Sequence, residues 1–125
     1  GLMMTGDELL QRAMRLVGCT DHRGEIDRTA YAELFARGTT LINTILTDVQ
    51  PIEGTQPQEI CTLADELPVS DLTARGVMPY GVAMLLAQCE GNGTDQQVMA
   101  SIYEQKRGSI RRPAERVIDT VPSPA

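Results

Sequence analysis

The sequence predicts an all-α domain, and three observations carry that expectation. Apolar residues recur every three or four positions along most of the chain. Capping residues stand where those stripes begin, and Gly or Pro where they stop. The apolar and charged fractions, 42% and 22%, belong to an ordinary globular chain rather than a disordered or coiled-coil one. With 125 residues, the length of a single domain, the chain reads as a four-helix bundle-like domain over 1–108. A long loop interrupts it at 51–70, and an extended arm follows over 109–125.

Thr5-Gly-Asp-Glu8 has the form of a capping box, and Asp7 and Glu8 suit the positive end of a helix dipole. Leu9, Leu10, Ala13, Met14, Leu16 and Val17 then follow at helical spacing, and Gly18 is a natural stop. The first helix is therefore expected near 5–18. Thr20 to Gly24 reads as a loop. Asp27 can cap a second helix, whose stripe runs through Tyr31, Leu34, Phe35, Leu41, Ile42, Ile45, Leu46 and Val49 to a stop at Pro51. It is expected over 27–50, as the spine. Gly38 lies on that stripe, where a Gly costs about 1 kcal/mol against Ala, so it marks a close helix crossing.

Residues 51–70 hold Pro51, Gly54 and Pro57 and demand a loop, within which 59–63 allows one short β pairing. Ser70-Asp71 caps a third helix over 71–90, with Leu72, Val77, Met78, Val82, Leu86 and Cys89 on its stripe. Pro79 falls inside it, so either the helix begins near Pro79 or it begins at Asp71 and kinks; the continuous or kinked form is the preferred reading. Val82-Ala-Met-Leu-Leu-Ala87 is apolar on nearly every side, which marks this helix as central and suited to face both its own core and a neighbouring subunit. After the turn Glu90-Gly-Asn-Gly-Thr94, Thr94 or Asp95 caps a fourth helix, near 95–107. Its face carries Val98, Met99, Ile102 and Tyr103, and Gly108 ends it.

Composition excludes several functions. With 3% aromatics the chain lacks stacking platforms for single-stranded nucleic acid. A net charge of −6 argues against coating duplex DNA. One His and three Cys leave a tetrahedral zinc site nearly unbuildable. No phosphate-binding Gly-rich loop, zinc-protease or nucleophile-elbow motif occurs. Asp7/Glu8 and Asp65/Glu66 are adjacent pairs that do not share a helix face, so no acid–base dyad is expected. Cys19 with His22 is the one candidate nucleophile pair, and a buried Cys19 beside a surface His22 is the better reading of it. An odd number of Cys without C-x-x-C spacing points to a reducing compartment. No apolar run is long enough for a membrane span, Leu2-Met3-Met4 is too short for a signal peptide, and the opening Gly1 is set aside as a protease-cleavage scar. The expectation is a chain with no catalytic residue, cofactor or metal, located in the cytoplasm.

Charge is unevenly placed. Residues 1–105 hold 6 Lys and Arg against 15 Asp and Glu, whereas 106–125 hold 5 against 2. The basic end is either a solvated tail or an arm that docks on an acidic surface. Pro113, Pro122 and Pro124 forbid a helix there, and Val117-Ile-Asp-Thr-Val121 reads as one extended strand. Val117, Ile118 and Val121 are expected to dock on the chain's own 59–63 segment or on a neighbour. Arg111, Arg112 and Arg116 would then meet Glu53, Glu59, Asp65 or Glu66.

Residues 66–107 carry a resemblance. Glu66-Leu-Pro-Val-Ser-Asp71 leads into Val77-Met-Pro-Tyr-Gly-Val-Ala-Met-Leu-Leu-Ala87. The turn at 90–94 follows, then Met99-Ala-Ser-Ile-Tyr-Glu-Gln-Lys-Arg107. This pattern resembles the C-terminal half of tailed-phage head–tail connector (adaptor) proteins, and Arg111-Arg-Pro113 with Val117-Ile-Asp119 is similar to the extended arms of that family. The resemblance implies a non-enzymatic virion protein at the head–tail junction. Such a protein assembles as a ring against the portal, contacts tail components, and passes DNA through its lumen without sequence-specific contact. The alternative class is a small helical regulator or interaction module. A DNA-reading helix-turn-helix is disfavoured because Arg28 and Arg37 sit beside Glu25, Asp27 and Glu33. A small enzyme with a Cys nucleophile is the third class.

Overall fold

The structure, a computed structural model, describes residues 3–111. It is all-α. Five helices run in chain order: α1 (Gly6–Leu16), α2 (Ala32–Glu53), α3 (Asp71–Gly76), α4 (Met78–Cys89) and α5 (Gly93–Arg107). No strand occurs among the described residues; Thr5 and Glu66 form a single antiparallel bridge.

α1 starts as the sequence dictates. The Thr5 hydroxyl accepts from the Glu8 amide, the Glu8 carboxylate accepts from the Thr5 amide, and the capping box is closed. Leu9, Leu10, Ala13 and Met14 are fully buried, and Gly18, at φ 76°, takes the chain out of the helix.

α2 lies further along the chain than expected at both ends. Asp27 does not cap it. Its Oδ1 accepts from the amides of Thr29 and Ala30 in a turn of its own, and α2 begins at Ala32 without a side-chain cap. Pro51 does not stop it either. Pro51 stands in the last turn, and Gly54 terminates the helix in the left-handed region at φ 86°. The extra turn is held from outside, because it carries Gln50 and Glu53, both buried and both hydrogen-bonded to residues 58–73. Gly38 does mark a close crossing: a Cβ there would stand 2.8 Å from Leu10 Cδ2 and 3.1 Å from Leu63 Cδ2.

The expected single helix over 71–90 is two helices. Ser70 caps α3 through the Thr73 amide. Val77, at φ −120° and ψ −50°, separates α3 from α4, and Pro79 occupies the first turn of α4, where its missing N–H costs nothing. Leu72 consequently points away from the core and is 81% exposed. α5 begins at Gly93 with Asn92 as its cap, rather than at Thr94 or Asp95.

α4 is central, as its all-round apolar sequence requires, and packs against the four other helices. Met78, Val82, Ala83 and Leu86 are completely buried, against a core that includes Leu10, Met14, Ile42, Leu46 and Val49. Cys89, at its end, is exposed.

The loop over 54–70 is not a strand at 59–63 but an irregular segment pinned on both sides. Asn43 on α2 gives its Nδ2 to the Ile60 carbonyl (3.0 Å) and takes the Ile60 amide on Oδ1 (2.9 Å). Gln50 donates to the carbonyls of Gln58 and Pro68 and accepts from the Gln58 amide. On the other side the loop pairs with the start of α1 and the residue two before it, through Gly6 N to Asp65 O, Asp7 N to Leu63 O and Leu67 N to Met4 O. Ile60, Leu67 and Val69 fill the space beneath. At its end the Glu53 carboxylate accepts the Ser70 amide, the Ser70 hydroxyl and the Thr73 hydroxyl. Burial pushes that carboxyl up, but the hydroxyls and the amide outweigh it, and its pKa falls below the ordinary 4.5.

Candidate interaction surfaces

Among the concave surfaces of the described residues, two differ in chemistry and are large enough to take a partner's side chains. The larger, about 630 Å³, runs between α2, α4 and α5. Ile45, Met84, Leu85 and Ala100 supply its apolar side, while Thr44, Thr47, Asp48 and Glu104 supply polar edges. Tyr103 is the one residue of α5 buried in the core, at 3% exposure. Gly81 on α4 makes room for it, since a Cβ at Gly81 would meet Tyr103 Cε1 at 2.8 Å. The Tyr103 hydroxyl donates to Asp48 Oδ2 at 2.6 Å, and Arg107 Nη1 donates to the same oxygen at 2.6 Å, with the guanidinium 5.3 Å from the Tyr103 ring centre. Burial, then the Asp48 carboxylate, push the Tyr103 phenol far above its usual value. It stays a hydrogen-bond donor at neutral pH and is unsuited to proton transfer there. Of the α5 face read from the sequence, Met99 and Ile102 are half-buried and Val98 is 49% exposed. The helix therefore keeps apolar area outside the core.

The second surface, about 300 Å³, lies among α1, α3 and the start of α4 and is lined by Arg12, Arg15, Leu16, Arg75, Pro79 and Tyr80. Asp71 holds the Arg75 Nε with both carboxylate oxygens at 2.8 Å, and Lys106 Nζ stands 5.7 Å from the Tyr80 ring centre. A cationic, partly apolar face thus stands on a body that is acidic as a whole. It shares no lining residue with the first surface.

The residues expected to receive the arm are scattered in role. Glu59 and Glu66 are exposed. Asp65 is committed to its own loop: its Oδ2 accepts the amides of Cys61 (2.7 Å) and Thr62 (3.0 Å), which hold its pKa below the usual carboxylate range. Glu53, buried under Ser70 and Thr73, is not an acidic surface at all. Arg111 is exposed and makes no ion pair with Glu59, Asp65 or Glu66 among the described residues. Arg112, Arg116, Val117, Ile118 and Val121 lie outside the described residues.

Cys19 is buried and His22 exposed. Burial, with the nearby Glu90 charge, pushes the Cys19 thiol up, the opposite of what activates a nucleophile. Cys61 is exposed. No group of three or more potential metal ligands gathers among the described residues, and no helix among them is long and apolar enough to cross a membrane. Comparison with known families, curated proteins and solved structures finds no match for this chain.

Proposed function

We propose that the chain is a non-catalytic structural subunit of a tailed-phage head–tail connector, assembling as a ring against the portal and passing DNA to the tail. In this reading it is made in the bacterial cytoplasm and ends at the virion head–tail junction. The observation that carries the proposal is the pair of dissimilar surfaces built from different helices. A closed ring needs heterologous, head-to-tail contacts, in which one face of a subunit meets a different face of the next. An apolar groove on α2, α4 and α5 and an arginine-lined face on α1, α3 and α4 meet that need. The sequence pattern that resembles the connector family falls on α3, α4 and α5 with their Leu67-Pro68 entry, the helices that build much of both surfaces.

The test is solution mass over rising concentration, followed by capture on an immobilised portal protein. Ring-sized particles, or capture by the portal, support the reading. The second reading, a helical interaction module for an anionic partner, is favoured by the Arg12, Arg15 and Arg75 face alone. Salt-dependent binding of duplex DNA without portal binding selects it.

A further inference from the structure

From the groove between α2, α4 and α5, and from the residues that follow α5, we infer that residues 112–125 of the unassembled chain seat in the groove of their own chain, covering the half-buried Met84 and Leu85. The groove is unfilled by described residues although its lining is largely apolar. The chain leaves the described structure at its edge. Arg107 lines the groove, Ile110 packs on the core three residues later, and Arg111 is exposed.

Reach and composition agree with that seat. From Ala100 to Arg107 the groove follows α5 for about 10 Å, at ~1.5 Å per helical residue. Val117 is six residues beyond Arg111, a span of up to about 20 Å at ~3.3 Å per extended residue, which suffices to turn back along the groove. Pro113 keeps the segment from extending α5. Val117, Ile118 and Val121 match the apolar floor, and the segment as a whole is neutral, with Arg112 and Arg116 against Glu115 and Asp119, so apolar contact carries the seat. A segment tethered at the mouth of its own site has an effective concentration of about millimolar. That is far above the concentration of a neighbouring chain in dilute solution, and it decides for the chain's own segment over a second copy. The inference concerns the free chain and does not rest on the connector reading, since it stands or falls whether or not a portal binds.

The methionines provide the readout. Met84 lines the groove, while Met4, Met14 and Met78 are sealed in the core. Three proteins are compared with methyl-13C methionine: the full chain, the chain ending at Arg111, and the full chain carrying Val117→Asp, Ile118→Asp and Val121→Asp. The expected result is that both altered proteins shift the Met84 methyl and raise its quenching by a soluble nitroxide severalfold, while Met4, Met14 and Met78 stay in place. A synthetic 112–125 peptide then returns Met84 saturably to its position in the full chain. A Met84 methyl that neither change moves overturns the inference. So does a labelled truncated chain whose Met84 signal is restored by unlabelled full-length protein, because the segment then comes from a second copy.

Discussion

The loop over 54–70 and helix α5 invert the usual association of regular structure with firm anchoring. The loop holds no helix or strand, yet Ile60, Leu67 and Val69 are buried and Asn43, Gln50 and Glu53 satisfy its amides and carbonyls from α2. α5 is fifteen residues of regular helix with a side-chain cap, and it buries one side chain in the core, Tyr103. Tertiary hydrogen bonds together with apolar anchors fix a chain as firmly as a repeating backbone pattern does. The difference also sorts the molecule by purpose. The loop side is closed frame, and the α5 side keeps apolar area outside the core.

That contrast is broken most severely at Leu67, which is 2% exposed. Leu67→Ala is expected to cost about 2–4 kcal/mol, read from the urea midpoint, although the residue belongs to no helix. A loss below about 0.5 kcal/mol, the range of surface substitutions, would mean that the loop is merely draped over α2. Next in size is Glu53→Gln, which exchanges a charged acceptor of three donors for a neutral one, with an expected loss of about 1.5–3 kcal/mol. Because the folded pKa of Glu53 lies below its ordinary 4.5, its contribution is fully present above that value. It is lost as pH falls through the folded pKa. The fall of stability with acidification should therefore be shallower in Glu53→Gln than in the parent.

The α5 side should respond less. Tyr103→Phe keeps the ring and removes the bond to Asp48, for an expected loss of about 1–1.5 kcal/mol; thermal unfolding checks it. Arg107→Ala removes a half-exposed ion pair to the same oxygen and should cost less than about 1 kcal/mol. Smallest of all is Leu72→Ala, on a side chain 81% exposed, expected within about 0.5 kcal/mol of the parent.

Much of the fold was legible in the chain because local chemistry and global packing agree there. The capping box at Thr5 and Glu8, the cap at Ser70, the apolar stripe of α2 and the all-round apolar run of α4 each specify what forms. Where the reading failed, a distant partner overrode a local signal. Pro51 reads as a stop, but Gln50 and Glu53 find partners in residues 58–73 and carry α2 one turn further. Residues 59–63 allow a short β pairing, and Asn43 takes the backbone groups of Ile60 that a second strand would have used. Leu72 reads as part of one continuous stripe, and the break at Val77 turns it outward. The candidate surfaces were legible only in outline: the excess apolar area of Val82 to Ala87 is in the sequence, but the gathering of Arg12, Arg15 and Arg75 from two helices is not. Glu53 misled because a carboxylate with three nearby donors looks, in sequence, like any surface acid.

The assembly role is tested most directly by light scattering of the full chain over rising concentration, repeated with a portal protein present. A discrete, closed multiple of the single-chain mass is expected, formed by the chain alone or on the portal, and Arg12→Glu with Arg15→Glu should abolish it while leaving helical content unchanged. A chain that stays single at every concentration and does not bind the portal contradicts the account.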